Sequence, residues 1–258
     1  FPENHAAMLG AARVAQRTMP LAHAQGYSQD ICSYLTSDIG AHLAGETPLT
    51  AFGVEAPPQA DVLVFNTNQC RDVRDWFEWY GRKWGVPVIG VRSPRSLGEV
   101  TAGDVDGVTR QIEGLIPPLE QVAGTRLDPI RLAAVVAASR RCSDLWEACL
   151  RTAGHRPTPL SFFDGTVHMG PAVVLRGTEA ANAYYEQLLA ELQERTRQGA
   201  AAVPDERYRL YWEGMPIWGR LRALSELLTE FRTAVVASTY CNSWIFAALD
   251  PADPLRSM

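Results

Sequence analysis

The chain has 258 residues, 47% of them hydrophobic and 21% charged, with a formal charge of −5 at pH 7. This is ordinary globular composition, with enough apolar material for one large or two medium domains. The acidic balance and the lack of any basic–aromatic block exclude an evident nucleic-acid surface, and no charge-free apolar run reaches the roughly 18 residues of a membrane span.

The chain opens at Phe1-Pro2-Glu3-Asn4, without Met and without a signal-peptide pattern, and stops at Arg256-Ser257-Met258. It reads as a fragment trimmed at both ends, with a cytoplasmic location expected. From His5 to about Gln25 apolar residues recur at helical spacing, and Gly26 is a plausible stop. Ser28 and Asp30 are candidate caps for a short helix carrying Cys32. Asp61-Val62-Leu63-Val64-Phe65-Asn66 is a continuous apolar run with polar ends, as expected of a strand buried on both faces. A polar turn, Thr67-Asn68-Gln69-Cys70, leads into a helix rich in Trp76, Phe77, Trp79 and Tyr80. Val86-Pro87-Val88-Ile89-Gly90-Val91 is the next buried strand, which completes a βαβ unit. Cys70 then sits at the carboxyl end of a strand, where open α/β sheets collect their sites.

Residues 104–154 read as two long helices, with Pro117-Pro118 interrupting or bounding the first. An irregular segment follows from Pro157 to Thr178, and a helix from about Glu179 to Gln198. Tyr208–Gly214, a helix over 218–231 and the strand Thr233–Ser238 form a second βαβ pattern. The expected class is α/β: two Rossmann-like lobes with parallel sheets and flanking helices, the second lobe incomplete. The expected division is a first lobe with a helical insertion over 1–155, a connecting loop and helix over 156–205, and the start of the second lobe over 206–258.

The five cysteines are Cys32, Cys70, Cys142, Cys149 and Cys241. An odd count, wide spacing and no CxxC pair argue against a disulfide framework. Cys32 lies among small and polar residues able to donate hydrogen bonds to sulfur; a buried thiol at a helix start is the competing reading. Cys70 follows a polar run and opens a helix, where the positive end of the macrodipole favours negative charge. Cys142 and Cys149 share one helix face, about two turns apart, and suit core packing. Cys241 follows a strand end and is a weaker candidate. The loop Phe162–Pro171 brings Asp164 and His168 among small residues, either lining a site or packing a connection. Glu3, Asn4 and His5 are candidate proton-transfer groups. No GxGxxG, Walker A, GxSxG or HExxH pattern occurs, which weighs against nicotinamide, P-loop and serine-hydrolase chemistry.

Four motifs occur in order: Phe1-Pro2-Glu3-Asn4-His5-Ala6-Ala7, Cys32-Ser33-Tyr34, Asn68-Gln69-Cys70 with Trp76-Phe77, and Trp212-Glu213-Gly214-Met215-Pro216-Ile217-Trp218. Across essentially the whole chain this succession resembles the larger subunits of the benzoyl-CoA reductase/2-hydroxyacyl-CoA dehydratase family. The resemblance implies a [4Fe–4S] cluster held by three cysteines. Cys32 and Cys70 match the first two ligand positions, and the third is expected beyond residue 258. It implies an acyl-CoA substrate, a homologous second subunit and an ATP-dependent iron–sulfur activator that delivers low-potential electrons singly. The protein's part would be to bind, orient and tune. Ser33, Tyr34 and Asn68 are the candidate groups around the sulfurs. The catalytic acid or base is not named by the sequence. The alternatives are a non-catalytic electron-relay or scaffold subunit of the same fold, a protein that has lost the cluster, or a thiol hydrolase using Cys70 and His168.

Overall fold

A computed structural model describes residues 2–94 and 98–258, so Phe1 of the opening motif lies outside the described residues. The fold is mixed α/β and mostly helical, with two small parallel sheets. Packing divides the chain into two compact units, residues 1–127 and 128–258, each built around its own sheet. The boundary thus falls ahead of the long helix at residue 129, which packs with the second unit, whereas the sequence reading divided the chain at 155 and 206.

The first unit runs α1 (Pro2–Ala11), α2 (Ala15–Ala24), α3 (Ser33–Ala44), β1 (Leu63–Asn66), α4 (Arg71–Trp84), β2 (Val88–Val91) and α5 (Ala102–Ala123). The single helix expected over 5–25 is two helices. Arg13 turns left-handed at φ 59°, and the amides of Arg13 and Val14 return to the carbonyls of Gly10 and Leu9. Ser28 does not cap a helix; its hydroxyl accepts from the Asp30 amide in the preceding turn, and α3 starts only after Cys32. α2 and α3 meet at Gly40, where a Cβ would lie 2.1 Å from the Thr18 carbonyl oxygen.

α4 is strongly two-faced. Trp76, Phe77 and Tyr80 are buried, while Arg71–Asp75 and Arg74–Glu78 pair at 3.5 and 2.7 Å along the wet side. Its apolar face covers one side of the sheet: Phe65 meets Phe77 at 5.8 Å, and Gly81 lies so close to Val88 that a Cβ would come within 2.3 Å of it. β1 and β2 pair in parallel from Leu63↔Val88 to Asn66↔Val91. They are not buried on both faces, as the apolar runs suggested, because Val64 on the side away from α4 is 38% exposed. Pro117 and Pro118 lie inside an unbroken α5. The carbonyls that their missing N–H groups leave free belong to Glu113 and Gly114, both exposed, where water can take over the lost bonds.

The second unit runs α6 (Pro129–Arg151), α7 (Phe162–His168), α8 (Gly170–Val174), α9 (Glu179–Arg197), β3 (Tyr208–Trp212), α10 (Leu221–Glu230), β4 (Thr233–Ser238), α11 (Thr239–Asn242) and α12 (Pro254–Ser257). The segment expected to be irregular therefore holds two short helices; Ser161 and Asp164 form a reciprocal capping box that starts α7. Asp128 caps α6 ahead of Pro129. Cys142, Trp146 and Cys149 of α6 join Phe162, Tyr185, Leu188 and Val235 in the core. β3 and β4 are parallel, with one irregularity: Leu210 faces Val235 and Tyr211 faces Ala237, which leaves Val236 as an extra residue.

Candidate functional site

Cys32 and Cys70 occupy equivalent places, each at the N-cap of a helix in the first unit. Both have extended ψ values, 119° and 159°, and neither side chain makes a capping hydrogen bond. Their sulfurs are thus not committed to the helix starts they adjoin. Cys70 is exposed and Cys32 half-buried, and both are free thiols. The backbone amide of Cys32 donates to Asp72 Oδ2 at 3.1 Å, across from α3 to the first turn of α4. That bond draws the two cysteine-bearing helix starts together, although they are far apart in the chain. The N-terminal ends of both helices present positive dipole ends, which stabilise anionic ligands; Asp72 opposes this with its own charge, partly engaged by the Cys32 amide.

The turn before Cys70 is built by its polar residues. Asn66 Oδ1 accepts from the Asn68 amide at 2.8 Å, and Asn68 Nδ2 donates to the Pro94 carbonyl at 3.3 Å. Asn68 thereby ties the two loops after β1 and β2. Ser33 is exposed in the first turn of α3, and Tyr34 packs with Cys32 against the core of the first unit. Beside Cys70 an open cleft of about 760 Å³ runs along α4, lined among others by Asn66, Gln69, Arg71, Arg74 and Arg92.

Deeper in the same unit lies a constellation that sequence reading missed. Asp38 of α3 is fully buried. Its Oδ1 accepts from His5 Nδ1 at 2.5 Å; its Oδ2 accepts from Trp76 Nε1 at 2.7 Å and from the Tyr80 hydroxyl. His5 Nε2 meets Thr47 Oγ1 at 2.9 Å, and Thr47 Oγ1 also accepts from the Leu49 amide. His42 Nε2 meets the Tyr80 oxygen at 2.7 Å. The Tyr80 hydroxyl has one proton and gives it to Asp38, so His42 Nε2 donates to the Tyr80 oxygen. Burial lowers the His42 pKa, with Asp38 opposing and Lys83 and His5 assisting; burial, then the Asp38 charge, raises that of Tyr80. His5, Asp38 and His42 each have a ligand atom within 4.8 Å of the others, close enough to hold a metal ion. Both nitrogens of His5 and the Nε2 of His42 already serve the hydrogen-bond network, so the trio acts as an internal brace rather than an open ligand set. The stretch Leu35–Ala41 is buried throughout although Thr36, Ser37 and Asp38 are polar, so nothing in the sequence itself marked Asp38 as an interior group.

His5, expected as a proton-transfer group, is buried in this brace. Cys142, Cys149 and Cys241 are buried in the second unit, and burial raises their thiols, that of Cys149 to about 12. His168 pairs with Tyr184 at 2.7 Å.

The family model for the 2-hydroxyglutaryl-CoA dehydratase D-component matches residues 4–258. The chain belongs to this family. Among curated relatives of this dehydratase family, it is 30% identical to a benzoyl-CoA reductase subunit of Thauera aromatica, over 93% of the chain and 57% of the relative. It is 28% identical to the (R)-2-hydroxyisocaproyl-CoA dehydratase alpha subunit of Clostridioides difficile, over 95% of the chain and 59% of the relative. The (R)-phenyllactyl-CoA dehydratase alpha subunit of Clostridium sporogenes matches at 27%, over the same shares. The chain therefore spans less than three-fifths of the length of these dehydratase and reductase subunits. Among the described residues no helix is long and apolar enough to cross a membrane.

Proposed function

We propose that this chain is part of a cytoplasmic iron–sulfur subunit of a 2-hydroxyacyl-CoA dehydratase or benzoyl-CoA reductase type enzyme, with Cys32 and Cys70 as two ligands of a [4Fe–4S] cluster. The observation that carries the reading is the pairing of two unengaged thiols at the N-termini of α3 and α4, joined by the Cys32–Asp72 hydrogen bond. The donor set fits the group: thiolates are the usual protein ligands of such clusters, and helix N-termini stabilise their charge. When bound, the cluster would supply single low-potential electrons to a CoA thioester and an open iron as Lewis acid. The third thiolate would come from chain beyond residue 258.

The protein's own share is orientation and charge. The cleft beside Cys70 is lined by Arg71, Arg74 and Arg92 together with Asp75 and Glu78; in this reading the guanidinium groups would meet the phosphates of an acyl-CoA. Arg71 and Arg74 pair with Asp75 and Glu78 as exposed i,i+4 pairs along α4. Asn68 holds the turn that presents Cys70, while Ser33 and Tyr34 stand next to Cys32 as candidate tuners of its sulfur. A homologous second subunit and an ATP-dependent iron–sulfur activator complete the assembly in this reading.

The test is iron and acid-labile sulfide content of the full parent chain, co-expressed with its partner subunit and purified without oxygen, beside Cys32→Ser and Cys70→Ser. Near-equal iron and sulfide, lost in both variants, is the expected result. Iron retained in either variant sinks the assignment of that cysteine.

A further inference from the structure

The two cysteine-bearing helices are joined at more than one level. At their starts the Cys32 amide meets Asp72. Roughly two turns further along each, Asp38 of α3 receives Trp76 and then Tyr80 of α4. The second junction is dry: Asp38 and Trp76 are at most 1% exposed, and Tyr80 is 3% exposed. A buried carboxylate is tolerated only where it is fully hydrogen-bonded, so its partners must arrive together and in one geometry. On its other oxygen, His5 of α1 completes the shell, itself held by Thr47. His42, one turn after Asp38 on α3, steadies the Tyr80 hydroxyl from behind.

We propose that Asp38 is a positioning residue, which fixes the register of α3 against α4 and with it the relative position of Cys32 and Cys70 at the two helix starts, as a shared metal cluster would require. The cluster itself rests on the reading above; the positioning of the two thiols does not. Apolar packing between the helices resists sliding but does not aim polar groups; the bonds to Asp38 add a directional constraint to it. Three directional bonds to one buried carboxylate do not slide. A small axial shift of α4 would break two of them and leave an uncompensated charge.

An Asn at position 38 has one acceptor oxygen and an NH2 with two N–H donors. Its oxygen can keep Trp76 and Tyr80, while one N–H faces His5, whose ring can switch tautomer to accept and then donate to Thr47; the second N–H is the residual cost of the exchange. Asp38→Asn is therefore the rescuing variant and Asp38→Leu the disruptive one.

The experiment uses the full chain with its partner subunit, stripped of metal by chelation without oxygen. Dibromobimane, which fluoresces only after joining two thiols, is added, and the Cys32–Cys70 bridge is identified by peptide mapping. Hydrogen exchange of α3 and α4 amides reports whether these helices remain formed. Wild type and Asp38→Asn are expected to bridge at similar rates. Asp38→Leu is expected to bridge about tenfold more slowly with the amides still protected, the factor that loss of a hydrogen bond to a charged group corresponds to. If Asp38→Leu does not fold, Trp76→Phe/Tyr80→Phe decides, since it keeps an aromatic ring at each position and removes both donors, with amide protection reporting whether the smaller ring at position 76 loosens the helices. Slow bridging in that variant, with protected amides, supports the proposal. No bridging in wild type, or wild-type rates in the variants whose helices remain formed, overturns it. Iron analysis of the untreated protein is a separate measurement, so a missing cluster would refute the metal reading without deciding the role of Asp38.

Discussion

The amide of Cys32 and the carboxylate of Asp72 lie 3.1 Å apart, so that the first turn of α4 supplies the anchor for the start of α3. Asp72 also stands in the first turn of its own helix, where a carboxylate complements the macrodipole. Asp72→Ala is expected to destabilise the first unit by about 1–2 kcal/mol, from one partly buried charged hydrogen bond and the dipole contact. Asp72→Asn should recover much of it by retaining an acceptor. Urea unfolding of the three proteins measures both effects, and equal midpoints would show that the bond is dispensable.

The five thiols should separate into two classes. Cys70 is exposed and Cys32 half-buried, while the other three are buried and carry thiols raised by desolvation. Iodoacetamide under native conditions is expected to modify Cys70 first and Cys32 next. Cys142, Cys149 and Cys241 should react only as the second unit opens. Mass spectrometry of timed samples gives the order directly.

His42 gives the first unit a pH dependence with a definite sign. Its folded pKa lies below the ordinary histidine value of 6.5, because burial and the nearby Lys83 and His5 outweigh the attraction of Asp38. The unfolded chain therefore binds a proton at higher pH than the folded one. Stability should be full above pH 6.5 and decline as pH falls below it, levelling once the folded pKa is passed. His42→Gln should flatten that part of the curve, read by denaturant titrations from pH 7.5 to about 5.

Glu206 gives the second unit a pH dependence of the same sign by a different cause. Its Oε2 accepts from the Thr158 amide at 2.6 Å, and its Oε1 accepts from Arg209 Nε at 2.5 Å. Arg209 in turn donates to the carbonyls of Ala153, Gly154 and His155, so one ion pair closes the loop after α6. Burial works to raise the Glu206 carboxyl, yet Arg209, the Thr158 amide and Arg156 hold it below the ordinary range. Its contribution is present above the unfolded carboxyl pKa and lost as acid titrates the folded one. Glu206→Gln should cost about 1–3 kcal/mol at neutral pH, with the difference from wild type shrinking in acid.

Gly40 tests the approach of α2 to α3. A Cβ there would lie 2.1 Å from the Thr18 carbonyl oxygen, and backbone cannot yield as a side chain can. Gly40→Ala is expected to cost at least about 2 kcal/mol despite the better helix propensity of Ala. A thermal midpoint unchanged from wild type would show that α2 moves aside freely.

The βαβ units were legible because periodicity and Pro/Gly punctuation are local properties: α4, β2, β3 and β4 fall where the pattern put them. The break at Arg13 was not, since the left-handed position is an Arg rather than a Gly and is held by bonds back to α1. Pro117-Pro118 misled in the other direction, because an exposed helix can hand its freed carbonyls to water. The place of Cys70 at the turn between β1 and α4 was readable from the strand–turn–helix pattern, and that of Cys32 near a helix start, although α3 begins only after it. Asp38 was not: a single Asp in a helix ordinarily faces solvent, and its three donors come from α1 and α4, which only the fold assembles.

The extra Val236 in β4 bends the strand near its end: it stands without a partner between Val235 and Ala237, and such an insertion breaks the ladder and adds twist. Just past it the strand gives way to α11. Ser238 is 2% exposed there, and its hydroxyl receives the Cys241 amide, so the irregular strand end is also the place where a buried thiol is seated.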